Sequence, residues 1–436
     1  MFLRALLIAL IVYIPEQLHF PRDLGLKGVN VFNLLLIFAL IAMMTVPKIK
    51  GDRAPIRGPI FFYYLVLTVS LIVGLANDST YMVEDITLYK TAISYSLFYF
   101  IFYYTVQDKK TIRILMVAIM GVVFLMSIEA LREALDYGLE SGKRVSAAFG
   151  DSQAAANYAG VFFAIFVPMA MSIALFHKKL SLRMAGISLW GLGLMSVFYT
   201  LSRTALAAVG ATTILLWTVR NKLFGIIVAI IAINYTIWAP TVVQQRIETT
   251  EVSDTYGQKK LEASAESRIY LWEGGWEIIK DSPFGIGFNN FHRQIGPHLP
   301  TWIAARDAHN HLILITAESG FQGGLAYILL MFGFYSIGRR LLRHQDDPEA
   351  RALGYGYVMC VTGLILGNVY NSLFYSGEVM GNFWIMTGLM ARYAYLLEQD
   401  TETVQEVQDV HQTQPEFTAP TVGRESSRAS RRVAAK

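Results

Sequence analysis

AAANYAGVFFAIFVPMAMSIALF, residues 154–176, runs the length of a membrane span without a charged side chain and ends just before Lys178 and Lys179. A helix of roughly 20 apolar residues crosses a bilayer because all its backbone hydrogen bonds close within the segment. Working outward from it, comparable runs lie near 3–19, 29–47, 58–76, 86–106, 111–131, 184–202, 204–219, 222–240, 310–336, 352–375 and 379–397. The predicted fold is therefore an all-α polytopic membrane protein of about twelve transmembrane helices. Composition agrees, since 54% of the 436 residues are hydrophobic and only 16% are charged, too apolar for a soluble domain. A soluble enzyme and a single-pass receptor are excluded, and the net charge of +4 gives no reason to expect a nucleic-acid partner in a membrane chain. The one cysteine, Cys360, rules out an intrachain disulfide, a cysteine zinc site and an iron–sulfur cluster.

Two of the runs are weak. The first is short and interrupted by Pro15, and Ser202-Arg203-Thr204 alone separates the seventh from the eighth. Residues 2–14 have the character of a signal-peptide core, but no small-residue cleavage site follows, so the segment is expected to be retained. Charge sorts the loops. One alternate set carries Lys48, Lys50, Arg53 and Arg57, then Lys109, Lys110 and Arg113, then Lys178, Lys179 and Arg183, then Arg220 and Lys222, then Arg339, Arg340, Arg343 and Arg351. By the positive-inside rule these loops are cytoplasmic, as are both termini. The other set carries only Arg22, Lys27, Arg132, Lys143, Arg144 and Arg203 in its short loops; it faces outward together with a long loop over 241–309. The expected organisation is spans one to nine in 1–240, the long outward loop in 241–309, three spans in 310–398, and a disordered cytoplasmic tail in 399–436, where large apolar residues nearly vanish.

The long loop is expected to hold short amphipathic helices. Ser267 has the position of an N-cap, and Ile269, Trp272, Trp276 and Ile279 follow at spacings of three and four, which put them on one helix face. Such a helix suits either the membrane interface or a seat on the outward ends of the spans. Ser282 to Asn290 follows as a turn-rich connection. Outside the loop, Glu84-Asp85 reads as a solvated acidic pair, and Pro15 to Asp23 contains no convincing acidic metal motif.

Four outward arginines stand out: Arg144, Arg203, Arg268 and Arg306. Arg203 lies between two spans with hardly any loop around it. Its side chain either reaches lipid phosphate or, if the others converge on it, forms part of an anion clamp, since guanidinium keeps its charge and offers a planar fork of donors. Asp307-Ala308-His309-Asn310-His311 marks the entry to the next span. Histidine there either rests on water and backbone or acts as a general base. His309 and His311 are too close in sequence to share a helix face, so no metal site is expected on them. Gly320 and Gly324, four apart, suit close helix contact.

His309-Asn310, a nine-residue gap, Gly320 and then Gly323 match the signature of bacterial O-antigen ligases, and HNHLILITAESGFQGGLAYILL resembles the C-terminal domain shared by O-antigen ligases and polymerases. Ser202-Arg203, Ser267-Arg268 with Trp272, Pro283-Phe284-Gly285-Ile286-Gly287 and Gly150-Asp151-Ser152-Gln153 leading to Asn157 resemble further blocks of that family, in its order. The resemblance spans roughly residues 140–390. It implies an inverting, metal-independent glycosyltransferase with no cofactor, taking a glycan from undecaprenyl pyrophosphate to a lipid A-core sugar. In that scheme His309 is the base, and Arg203 and Arg268 bind the pyrophosphate. Arg144 and Arg306 join them by side and sign, Asn310 would orient His309, and Asn157 would line the site. Polymerases resemble this chain less: of their arginine motifs only Arg246 and Gly257 fit. A transporter would need paired polar groups at mid-bilayer, and Glu129, Asn234, Asn371 and Arg392 suggest no pair.

Overall fold

The computed structural model describes residues 2–20, 30–47, 52–150, 154–249, 251–253 and 259–413. Arg22, Lys27, Lys48, Lys50, Asp151 to Gln153, Gly257 and the expected tail beyond Thr413 lie outside the described residues. The helices are α1 (Phe2–Glu16), α2 (Val31–Thr45), α3 (Arg57–Asn77), α4 (Met82–Thr105), α5 (Lys109–Tyr137), α6 (Ala155–Phe176), α7 (Leu180–Thr200), α8 (Arg203–Arg220), α9 (Lys222–Ile233), α10 (Thr241–Glu248), α11 (Ala263–Asp281), α12 (Phe291–Gln294), α13 (His311–Leu341), α14 (Pro348–Val369) and α15 (Gly377–Thr413). A short antiparallel pair, β1 (Glu251–Ser253) and β2 (Lys259–Leu261), lies between α10 and α11. Residues Met1–Leu396 form one compact unit and Leu397–Lys436 a second.

The fold is all-α and polytopic, and each predicted run is helical. Among the described residues seven helices are long and apolar enough to cross a membrane: α1 with the turn after it, α3, α5, α6, α7, α13 and α14. The run 222–240 is not one span. Asn234 ends α9 after 12 residues, about 18 Å against a hydrocarbon core of roughly 30 Å, and its amide bonds back to the Ile230 carbonyl at 2.7 Å. At the other end of the chain, α15 continues to Thr413, past the boundary predicted at 398.

Apolar on all sides, α6 has no polar face to give to solvent, and it is buried along nearly its whole length by α7, α8 and α14. The helix ends fall into two groups. At one end Arg144 reaches the Thr200 carbonyl, Arg203 pairs with Glu262, and Arg293 pairs with Asp85. At the opposite end Arg4 meets Asp108, Arg113 meets Glu349, and Arg392 meets Asp52. Alternate connections therefore gather at opposite ends of the helices.

One helix is broken on purpose. Gly320 interrupts α13 with φ 72° and ψ −175°, a region closed to side-chain-bearing residues without strain. The break frees the carbonyls of Ala317 and Glu318, which accept the Ile286 and Gly287 N–H groups at 3.1 and 2.9 Å, while Phe321 N–H donates to the Pro283 carbonyl at 3.0 Å. Gly285, at φ 97°, lies so close that an added Cβ would sit 2.5 Å from the Glu318 carbonyl. The connection over 282–290 is thus a loop docked into a helix break, and Gly320 serves that break rather than a helix–helix contact. Replacing Gly320 by Ala is expected to cost roughly 1–3 kcal/mol from the backbone strain alone. Gly191→Ala, whose new Cβ meets nothing within 4 Å, is expected to be neutral or stabilising. Thermal unfolding of the detergent-solubilised pair checks this, and equal melting shifts would contradict it.

Candidate active site

Arg144, Arg203, Arg246 and Arg268 converge on Glu262. The hairpin between α7 and α8 turns at Leu201, which adopts φ 48°; this exposes the Thr200 carbonyl and sets Arg203 at the first position of α8, behind the N-cap Ser202. The Thr200 carbonyl accepts from Arg144 Nε at 2.8 Å, and Asn157 Oδ1 accepts from the same guanidinium at 2.7 Å. Glu133 accepts the Ser146 and Ala147 N–H groups at 2.8 and 2.9 Å, which holds the segment carrying Arg144. Glu262 joins Arg203 and Arg246, the latter at 3.0 Å. Arg268 Nε is buried with no hydrogen-bond partner among the described residues.

Four cations around one carboxylate leave a strong positive excess. Burial lowers the Arg144 pKa to about 10, helped by Arg246, Arg268 and Arg203. Burial and Arg203 likewise depress Arg268. Burial works to raise the Glu262 pKa, yet hydrogen bonds from Arg246 and Arg203 outweigh it and hold the carboxyl below its usual range. A diphosphate would relieve the excess, and the N-terminus of α8 favours negative charge at the same point.

His309 stands beside this cluster. Its backbone has φ 47°, a strained conformation for a non-glycine residue, and its N–H donates to Asp307 Oδ1 at 2.6 Å. The same oxygen lies 3.5 Å from His309 Nδ1, which leaves Nε2 as the nitrogen free to take a proton. Burial lowers the His309 pKa; Asp307 opposes the shift, and Arg268 and Arg306 add to it. Trp272, one turn after Arg268, donates its indole N–H to the Ala308 carbonyl at 2.9 Å and packs on Tyr370. That bond fixes the distance between the α11 arginine and the histidine. On the side of Asp307 a cavity of about 290 Å³ opens, with Tyr158, Asn289, His292, Asp307, Glu318 and Glu378 in its wall.

The structure thus brings together Arg144, Arg203, Arg268, His309 and Asn157 of the predicted set. Arg306 is exposed and acts on His309 through its charge rather than joining the four. Asn310 does not orient His309; its side chain caps α13 by accepting from Ile313 N–H at 3.2 Å. His311 is fully buried among Tyr327, Phe374 and Tyr375. Sequence reasoning missed Arg246, Glu262 and the role of Asp307. Arg246, already noted for its spacing, sits in the last turn of the short helix α10.

Three local readings are corrected. The helix of the long loop begins at Ala263 and not after Ser267, which lies buried inside it. Its packed face is Leu271, Gly274, Gly275 and Ile278, so Ile269 and Trp276 point outward at 40% and 54% exposure while Ile279 is buried. Asp85 is no solvated acid: at 1% exposure it is paired with Arg293 at 2.8 Å and bonded by Asn289. Elsewhere, Glu16, His19 and Glu129 bring three ligand atoms within 4.8 Å, a geometry that could hold a metal ion. His19 itself bridges the two carboxylates at 2.9 and 3.5 Å.

A helical bundle with several spans long enough to cross a membrane thus carries a cationic cluster and a strained histidine at one of its ends. The family model described as O-antigen ligase matches residues 187–328, and that segment is similar to the O-antigen ligase/polymerase family. The matched segment contains Arg203, Arg246, Arg268 and His309. No curated protein matches the chain. The family implies lipid-linked polysaccharide substrates within a membrane and a glycosyltransferase-like activity.

Were His309 to act as a general base, its protonation would make kcat/KM fall on the acid side with a midpoint below the ordinary 6.5. Asp307→Asn removes the charge that raises this pKa, so the midpoint moves to still lower pH while the rate drops. A pH profile of both proteins checks the direction; an unmoved or raised midpoint would refute the pairing.

Proposed function

We infer that this chain is an O-antigen ligase-type inverting glycosyltransferase of the bacterial inner membrane, working at the periplasmic face. Its donor is a polysaccharide on undecaprenyl pyrophosphate and its acceptor a sugar hydroxyl of lipid A-core. The observation that carries the reading is His309, held by Asp307 beside four convergent arginines, with a cavity opening on the side of Asp307. The acceptor sugar enters the cavity. Its hydroxyl oxygen attacks the anomeric carbon from the face opposite the pyrophosphate, His309 Nε2 takes the proton, and Asp307 stabilises the imidazolium. The carbon–oxygen bond to pyrophosphate breaks as the new glycosidic bond forms, and inversion follows from this single displacement. Arg144, Arg203, Arg246 and Arg268 receive the charge of the leaving group, the electrostatic work a divalent metal does in other transferases.

A polymerase that extends a second lipid-linked chain uses the same donor chemistry and is the alternative. The reading as ligase rests on the single fit of the polymerase-type arginine spacing. Transport has less support, because the polar groups a translocation path would use are committed elsewhere. Arg392 is bonded to Asp52, Gln107 and the Val106 carbonyl, and Asn371 bonds back to the Gly367 carbonyl.

His309→Ala is expected to lower transfer by about 10²–10⁴-fold in liposomes supplied with undecaprenyl-pyrophosphate glycan and lipid A-core, with expression and membrane insertion unchanged. Arg203→Ala should weaken donor use more than Arg203→Lys, which keeps the charge and loses the fork. Full transfer by the His309 variant would remove it as the base. Chelator should leave the rate unchanged, and a loss restored by a divalent cation would contradict the metal-free scheme. In a deletion strain, long unligated chains on the carrier identify a ligase, whereas core bearing one repeat unit identifies a polymerase.

A further inference from the structure

A second cavity lies at the end of the bundle away from the arginine cluster. It is a cleft of about 810 Å³ between α5, α7, the end of α6 and the start of α14, within the roughly 300–1,000 Å³ range of ligand sites. Met116 and Phe124 of α5 and Leu182 and Leu192 of α7 form its walls, and Ala170 of α6 its floor. Gly121 leaves the α5 wall open, since an added Cβ there would meet nothing within 4 Å. Val117 and Phe124 on its edge are 66% and 45% exposed, so the cleft opens sideways to the bilayer.

Its length and charge select the occupant. From Leu182 to Leu192 the wall runs about 15 Å along α7, half of a roughly 30 Å hydrocarbon core and hence one leaflet. The mouth at the helix ends carries His177, Lys178 and Lys179. Arg113 and Glu349, also at the mouth, neutralise each other through a two-pronged contact at 2.6 and 2.7 Å, and Asp347 is taken up in capping α14. Lys178 and Lys179 are exposed and have no ion-pair partner among the described residues. An apolar trough one leaflet deep beneath two free ammonium groups matches an acyl chain beneath an anionic headgroup.

We propose that this cleft is a binding site for an anionic phospholipid of the leaflet opposite the arginine cluster, with its headgroup on Lys178 and Lys179 and an acyl chain between α5 and α7. The site is separate from the transfer chemistry and stands independently of it. The test reconstitutes the full chain in nanodiscs of equal phosphatidylglycerol and phosphatidylcholine and counts retained lipids by native mass spectrometry. The wild-type chain retains phosphatidylglycerol preferentially, and each of Lys178→Gln and Lys179→Gln lowers that preference about fivefold. Gly121→Trp fills the trough and lowers retention of both lipids. Equal retention of the two lipids by the wild-type chain would overturn the proposal, as would a preference that survives the double lysine replacement. Release of the lipid by soluble inorganic phosphate would also overturn it, since it would mark a site for the bare anion. The lysine variants, exposed and outside the packed core, keep the test decisive if Gly121→Trp does not fold.

Discussion

The repulsion among four guanidinium groups is the constraint around which this end of the molecule is built. Like charges about 4 Å apart at an effective dielectric near 20 repel by about 4 kcal/mol, so such a cluster needs compensating partners for most of its members. Arg144 is held by a carbonyl at the left-handed turn of the α7–α8 hairpin and by Asn157. Arg203 and Arg246 share one carboxylate, Glu262. Arg268 has neither: its buried Nε is left without a partner. A site prepared in this way stores binding energy for an anion, because the groups are ordered and partly desolvated before the ligand arrives.

The same logic links the arginines to the histidine. The helix that carries Arg268 is pinned by the Trp272 indole to the residue before His309, and α13, which begins just after His309, is anchored at its break by the loop over 283–288. The glycines of that region are therefore scaffolding for the site. Gly320 opens the helix, Gly285 lets the loop approach, and Glu318, at the break, accepts the Phe291 N–H at 3.3 Å. A rigid seat for His309 in its strained conformation is what the proposed proton transfer needs.

How much of this was legible in the chain depends on how far each signal reaches. Apolar runs are local and one-dimensional, so nearly every helix could be placed, although the length of α9 depended on Asn234, a single polar residue inside an apolar run. Arg203 was visible because a charge wedged between two spans violates the expected pattern. Arg246 was not, because its partner Glu262 lies beyond a β-hairpin and nothing local marks the pair. Asp85 was misread for the same reason: its neutralising cation, Arg293, is far away in sequence. Asn310 was misread because an N-cap and an orienting side chain look alike until the backbone is seen. The motif located Gly320 correctly, but its role depends on a loop that only the folded chain brings to it.

In the proposed reaction a diphosphate takes the place of Glu262 on Arg203 and Arg246 and is also met by Arg144 and Arg268. A structure of the full chain with undecaprenyl pyrophosphate bound tests it most directly. The account predicts phosphate oxygens within hydrogen-bond distance of Arg203 and Arg268, the Arg203–Glu262 ion pair opened, and His309 Nε2 facing the free end of the diphosphate. Phosphates seated away from this cluster, with the ion pair intact, would contradict it.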